Sequence, residues 1–109
     1  MFRTALVVAA VVALSGCNVC QRIYNAEQSA NDKGRDCGSN NTNLPNLNTC
    51  TNGLASCSQN DMQYLNSYAD CLEKLSYCQS GQSFSWGLQR FGCIEPLGKV
   101  SGTCLQAIN

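Results

Sequence analysis

The sequence predicts a mostly α-helical fold, a small bundle of about four helices stapled by disulfides behind a cleaved signal peptide. Three observations lead there. Apolar residues recur at three- and four-residue steps more often than they alternate. The 109-residue chain holds nine cysteines, a density typical of disulfide scaffolds. Large apolar residues are few: removal of residues 1–16 leaves 93, of which sixteen are Leu, Ile, Val or Phe, below the level at which an apolar core alone carries a fold. Residues 17–109 are expected to form one cysteine-rich helical domain, since that length suits one small domain and not two. Its six Lys/Arg against seven Asp/Glu remove the high net charge that would make such a composition disordered.

The N-terminus has the parts of an export signal: Arg3 as a basic head, an apolar stretch from Thr4 to Leu14, and small residues before the cut. Eleven residues as a helix reach about 16 Å, roughly half the hydrocarbon thickness, and cannot remain as a membrane span. Leu14-Ser15-Gly16-Cys17 resembles the lipobox of bacterial lipoprotein precursors. That resemblance implies cleavage between Gly16 and Cys17, a diacylglyceryl thioether on the Cys17 sulfur, and a further fatty acid such as palmitate on the new amino group. Two or three chains give stable anchoring where one binds only marginally. The competing reading is ordinary secretory cleavage with Cys17 in a disulfide. Parity favours the lipid: if Cys17 carries it, Cys20, Cys37, Cys50, Cys57, Cys71, Cys78, Cys93 and Cys104 can close four bridges in the oxidising compartment that export supplies. At about 2–4 kcal/mol each, these bridges match the net stability of an ordinary domain.

Val19, Ile23, Ala26 and Ala30 form the stripe of a first helix, ended by Gly34 and the Gly38 region. Residues 38–49 contain Asn40, Asn41, Asn43, Asn46 and Asn48 and read as the main exposed loop. Asn40-Asn41-Thr42 is a glycosylation sequon, relevant only in a eukaryotic host. Leu47, Cys50, Leu54 and Cys57 suggest a short second helix, started with the help of Pro45 and weakened by Gly53. Ser58 three residues before Asp61 is a variant capping box, and Met62, Leu65, Ala69, Leu72 and Leu75 share one stripe, so residues 59–77 are expected to be helical. After a turn at Gln79-Ser80-Gly81, a helix is expected from Phe84 to Ile94, carrying Trp86, Leu88 and Phe91. Pro96 and Gly98 interrupt it before a terminal helix from about Val100 to Ile108.

Two disulfide architectures compete. Cys50, Cys57, Cys71 and Cys78 are symmetric about Tyr64, which suits nested bridges across a hairpin turning there. The capping signal instead carries one helix through Tyr64 and separates Cys57 from Cys71 by about 21 Å, beyond the roughly 7 Å limit for a bridge. The continuous helix is favoured, and Cys71 then reaches another element. Which one stays open among 105 connectivities.

No histidine is present, which excludes Ser-His-Asp and Cys-His catalysis and the common mixed zinc sites. No catalytic residue, metal site or cofactor is expected beyond the diacylglycerol and fatty acid on Cys17. Asp70 and Glu73 could make a carboxylate pair, but Lys74 four residues after Asp70 points to a solvated helix face. Cys17-Asn18-Val19-Cys20 has C-x-x-C spacing, yet lipid consumes its first sulfur. Without a basic run interleaved with aromatics, no nucleic-acid partner is expected. Trp86, Phe91, Tyr64 and Tyr68 are first needed as packing, and Tyr77 and the Asn-rich loop are the better surface candidates.

The lipobox Leu14-Ser15-Gly16-Cys17, the C-x-x-C opening at Cys17 and Cys20, Cys57-Ser58 with Asp61, Tyr68-Ala69-Asp70-Cys71-Leu72, Leu75 and Cys78, then Cys93 and Cys104, resemble the small cysteine-rich lipoproteins of gliding bacteria, the myxobacterial lipoproteins. The resemblance implies an outer-membrane lipoprotein, with surface contact or gliding motility as its setting, and transfers no catalytic residue. Asn18 behind the lipid cysteine, in place of the Asp that would resemble an inner-membrane retention signal, also favours the outer membrane. The expected function is a lipid-anchored envelope module, structural or interacting with another envelope protein. The alternatives are a secreted inhibitor or toxin-like scaffold, which needs an unlipidated Cys17, and a thiol- or metal-dependent enzyme.

Overall fold

The computed structural model describes residues 19–38 and 44–109. The signal segment, the lipobox Leu14, Ser15, Gly16 and Cys17, the Asn18 position and loop positions 39–43 lie outside these. Among the described residues every regular element is helical. Helix α1 covers residues 19–33, α2 Leu47–Gly53, α3 Gln59–Glu73, α4 Ser83–Gly92 and α5 Gly102–Ile108, with 3₁₀ turns at Arg35–Cys37, Leu54–Ser56 and Glu95–Lys99. Four disulfides staple them, so the fold is the small disulfide-bridged helical one, with five α-helices among the described residues.

The stripe Val19, Ile23, Ala26 and Ala30 is buried along α1 and shares one cluster with Leu65, Ala69 and Leu72 of α3. Helix α1 stops at Gly34, whose N–H still bonds Ala30 O at 3.0 Å. Gly38 then takes the left-handed conformation at φ 75°, which costs glycine nothing. Helix α2 is started by Asn46 rather than Pro45: the Asn46 carboxamide oxygen accepts the Thr49 N–H at 3.1 Å. Gly53, which sequence alone marks as a weak point, is a point of contact. A Cβ there would meet Ala107 O at 2.1 Å, so only glycine lets α2 touch the backbone of α5.

The start of α3 at Gln59 agrees with the capping signal, but the helix ends at Glu73 and not at residue 77. Two tertiary contacts stop it. Lys33 Nζ donates to the Glu73 carbonyl at 2.8 Å, and the Cys78 N–H donates to Lys33 O at 2.7 Å, which pulls residues 75–79 out of helical conformation. Helix α4 lies one to two residues earlier than expected. Helix α5 begins behind Ser101, whose hydroxyl accepts the Cys104 N–H at 3.2 Å.

Cys20 pairs with Cys50, Cys37 with Cys78, Cys57 with Cys104 and Cys71 with Cys93, at Cα separations of 5.8, 5.9, 4.6 and 5.4 Å. The nested pairs about Tyr64 are absent, as the continuous helix requires, and the element Cys71 reaches is the end of α4. Cys20, Cys50, Cys78, Cys93 and Cys104 are buried, so the bridges are themselves core. One expectation fails on packing: Trp86 is buried and Tyr64 and Tyr68 are half-buried, but Phe91 is exposed, with Leu88 beside it. The inner face of α4 needs only Trp86 and the Cys93 sulfur to close on α3.

Candidate functional site

Asp61 is the one buried charged side chain among the described residues, at 6 % exposure. Within α3 it completes the capping box: Ser58 Oγ accepts the Asp61 N–H at 3.1 Å, and Asp61 Oδ2 accepts the Ser58 N–H at 3.0 Å. The same carboxylate also reaches the next helix start. Oδ1 accepts the Ser101 N–H at 2.9 Å and Oδ2 the Ser101 hydroxyl at 3.0 Å, and Ser101 is the N-cap of α5. One negative charge thus serves the positive ends of two helices. The N–H groups of Ser101 and then of Ser58 hold this carboxyl below the ordinary range, against the opposing effect of burial.

Beside it lie the sulfurs of Cys57 and Cys104, all within 4.8 Å of a carboxylate oxygen. Three such groups resemble a ligand set in composition. In this structure the two sulfurs are bonded to each other and the carboxylate oxygens are engaged by three donors, so the cluster joins α3 to α5. It offers no thiolate to an ion.

Asp70 and Glu73 are brought together, but Lys74 is not their partner. Arg22 on α1 donates to both carboxylates and to the Asn66 side-chain oxygen at 2.9 Å. These hydrogen bonds, to Glu73 first and then Asp70, push the guanidinium further toward its charged form. Tyr68 donates to Glu27 at 2.7 Å, and its burial, then that carboxylate, push its pKa up. Together these contacts fix α1 on α3.

The other feature is apolar and faces solvent. Phe84, Leu88 and Phe91 are spaced by four and three residues on the side of α4 away from Trp86, and are 79 %, 55 % and 71 % exposed. Trp86 is held inward by its indole N–H on Ser76 O at 2.7 Å. Tyr77, named from sequence as a surface candidate, is 68 % exposed. Ser101, Arg22 and Phe84 are the residues that sequence reasoning missed. Ser101 had a local signal, an N-cap serine three residues before Cys104 at the start of a helix.

Of the residues expected to carry chemistry, Cys17 and its lipobox lie outside the described residues, while the eight cysteines from Cys20 to Cys104 pair among themselves. Among the described residues no helix is long and apolar enough to cross a membrane. Compared with known proteins, the chain matches no family model, no curated protein and no solved structure. The likeness to myxobacterial lipoproteins therefore rests on the quoted residues alone.

Proposed function

We propose that this protein is a lipid-anchored lipoprotein of the bacterial cell envelope, held in the outer membrane by acyl chains on Cys17, and that its domain is a non-enzymatic structural and interaction module in surface contact or motility. Cysteine parity carries the reading. Eight of nine cysteines have partners within the domain, and the ninth stands at the end of a lipobox, where the thioether chemistry needs an uncommitted thiol. The polar clusters support the module reading because each is consumed in joining helices: Asp61 in two helix starts, Arg22 in a carboxylate clamp, Tyr68 in a bond to Glu27.

Intact mass of the protein from its own host tests it. The mature chain should begin at Cys17 and carry diacylglyceryl and acyl mass, and Cys17→Ser should leave an unanchored domain or an uncleaved precursor with its four bridges in place. An unmodified soluble N-terminus, at Cys17 or elsewhere, would overturn the anchor and favour the secreted scaffold.

A further inference from the structure

Helix α4 is apolar on two opposite sides, and only one is used by the fold. Trp86 and Cys93 are buried, while Phe84, Leu88 and Phe91 stand in register on the outer side. A lone exposed apolar residue is ordinary on a soluble protein; three forming one helix face are not. The rest of α4 is Ser83, Ser85, Gly87, Gln89 and Gly92, with one charge, Arg90, whose guanidinium lies 5.9 Å from the Trp86 ring centroid. No carboxylate stands in the helix.

We infer that this face is the domain's second contact with lipid: α4 lies in the headgroup region of the bilayer that carries the Cys17 anchor, with Phe84, Leu88 and Phe91 inserted beneath the headgroups. The inference rests on the anchor reading. Chain length is its first support. Cys17 is three residues from Cys20, a span of at most about 10 Å, and Cys20 is bonded to Cys50 in the core. A lipid on Cys17 therefore holds the folded domain against the membrane surface with no stalk between them. Charge is the second, since α4 carries no carboxylate to repel anionic headgroups and turns Phe and Leu outward.

Area argues against a second copy as the occupant. Two Phe and one Leu offer roughly 400 Å², so two such faces would bury about 800 Å², below the roughly 1,200 Å² of a stable dimer. Three inserted side chains are also too few to hold a free protein on a bilayer, but they suffice to orient one already tethered there.

The test attaches the lipid chemically, so that it does not depend on natural acylation. A maleimide phospholipid is coupled to the Cys17 thiol of the mature chain. The protein is then bound to phosphatidylethanolamine–phosphatidylglycerol vesicles with brominated acyl chains. Tryptophan is placed on the face by Phe91→Trp and, as a control, at exposed Gln28 of α1 by Gln28→Trp. Emission from position 91 should shift to the blue and be quenched by the bromines, because the inserted side chain reaches the headgroup–acyl boundary, while position 28 shows no quenching beyond that of Trp86 alone. No quenching at position 91, or equal quenching at both positions, would overturn the inference. So would a dimer in sedimentation that Leu88→Asp abolishes while position 91 stays unquenched, which would assign the face to a second copy. Failure of the anchor reading appears separately, in the mass of the natural protein.

Discussion

At the scale of single residues, Asp61 is where local and distant requirements meet. Its pairing with Ser58 is legible in sequence because both partners lie within one helical turn. Its pairing with Ser101 is not, because forty residues separate them and only the fold brings them together. The sign of its pH dependence follows from its lowered pKa. A carboxyl that titrates below its ordinary value of 3.8 stabilises the native state fully above that value, and the contribution disappears as pH falls through it toward the native pKa. Asp61→Asn removes the charge at two helix starts and offers an amide to groups that donate. We expect a lower thermal midpoint at neutral pH, and a gap between variant and parent that narrows below about pH 4, measured by circular dichroism melts across pH. A gap independent of pH would remove Asp61 from the acid response. Gly53 teaches the same lesson in the other direction: sequence reads a residue that weakens a helix, and the structure needs it because the α5 backbone lies where its side chain would be.

At the scale of elements, starts were more legible than ends. The α1 stripe and the α3 cap are written in neighbouring residues: the stripe is buried as its spacing predicts, and α3 begins where its cap indicates. The end of α3 carries no breaker between Lys74 and Tyr77; it is imposed by Lys33 and Cys78 from across the fold. In α4 the difficulty is one of degeneracy, since an apolar residue at helical spacing looks the same on an inner face as on an outer one. The elements also differ in what they tolerate. Ser58→Ala deletes an N-cap and should cost about 0.5–2 kcal/mol in denaturant unfolding. Gly53→Ala should cost more, because its methyl meets main-chain atoms of α5 that no rotamer change can move aside. If the two substitutions cost the same, α2 and α5 are not in backbone contact.

For the whole molecule, composition made the class legible and left the wiring open. Few large apolar residues and many cysteines point to a stapled helical domain, but spacing could not choose among pairings that depend on how five helices meet. The loops closed by the bridges span 30, 41, 47 and 22 residues, each worth about 3–4 kcal/mol in the loop-entropy account. Peptide mapping of the oxidised protein should recover Cys20–Cys50, Cys37–Cys78, Cys57–Cys104 and Cys71–Cys93, and full reduction should abolish the helical signal at room temperature. Retention of that signal after reduction would mean that the apolar core alone suffices. The order of these loops has a consequence for damage. The first begins before Cys50, the second opens at Cys37 and closes at Cys78, and the third opens at Cys57 and closes at Cys104, so every peptide bond from Cys20 to Cys104 is bracketed by a sulfur bridge. A protease that nicks this interval once opens the backbone without shedding a fragment, and both pieces travel on as a single covalent body.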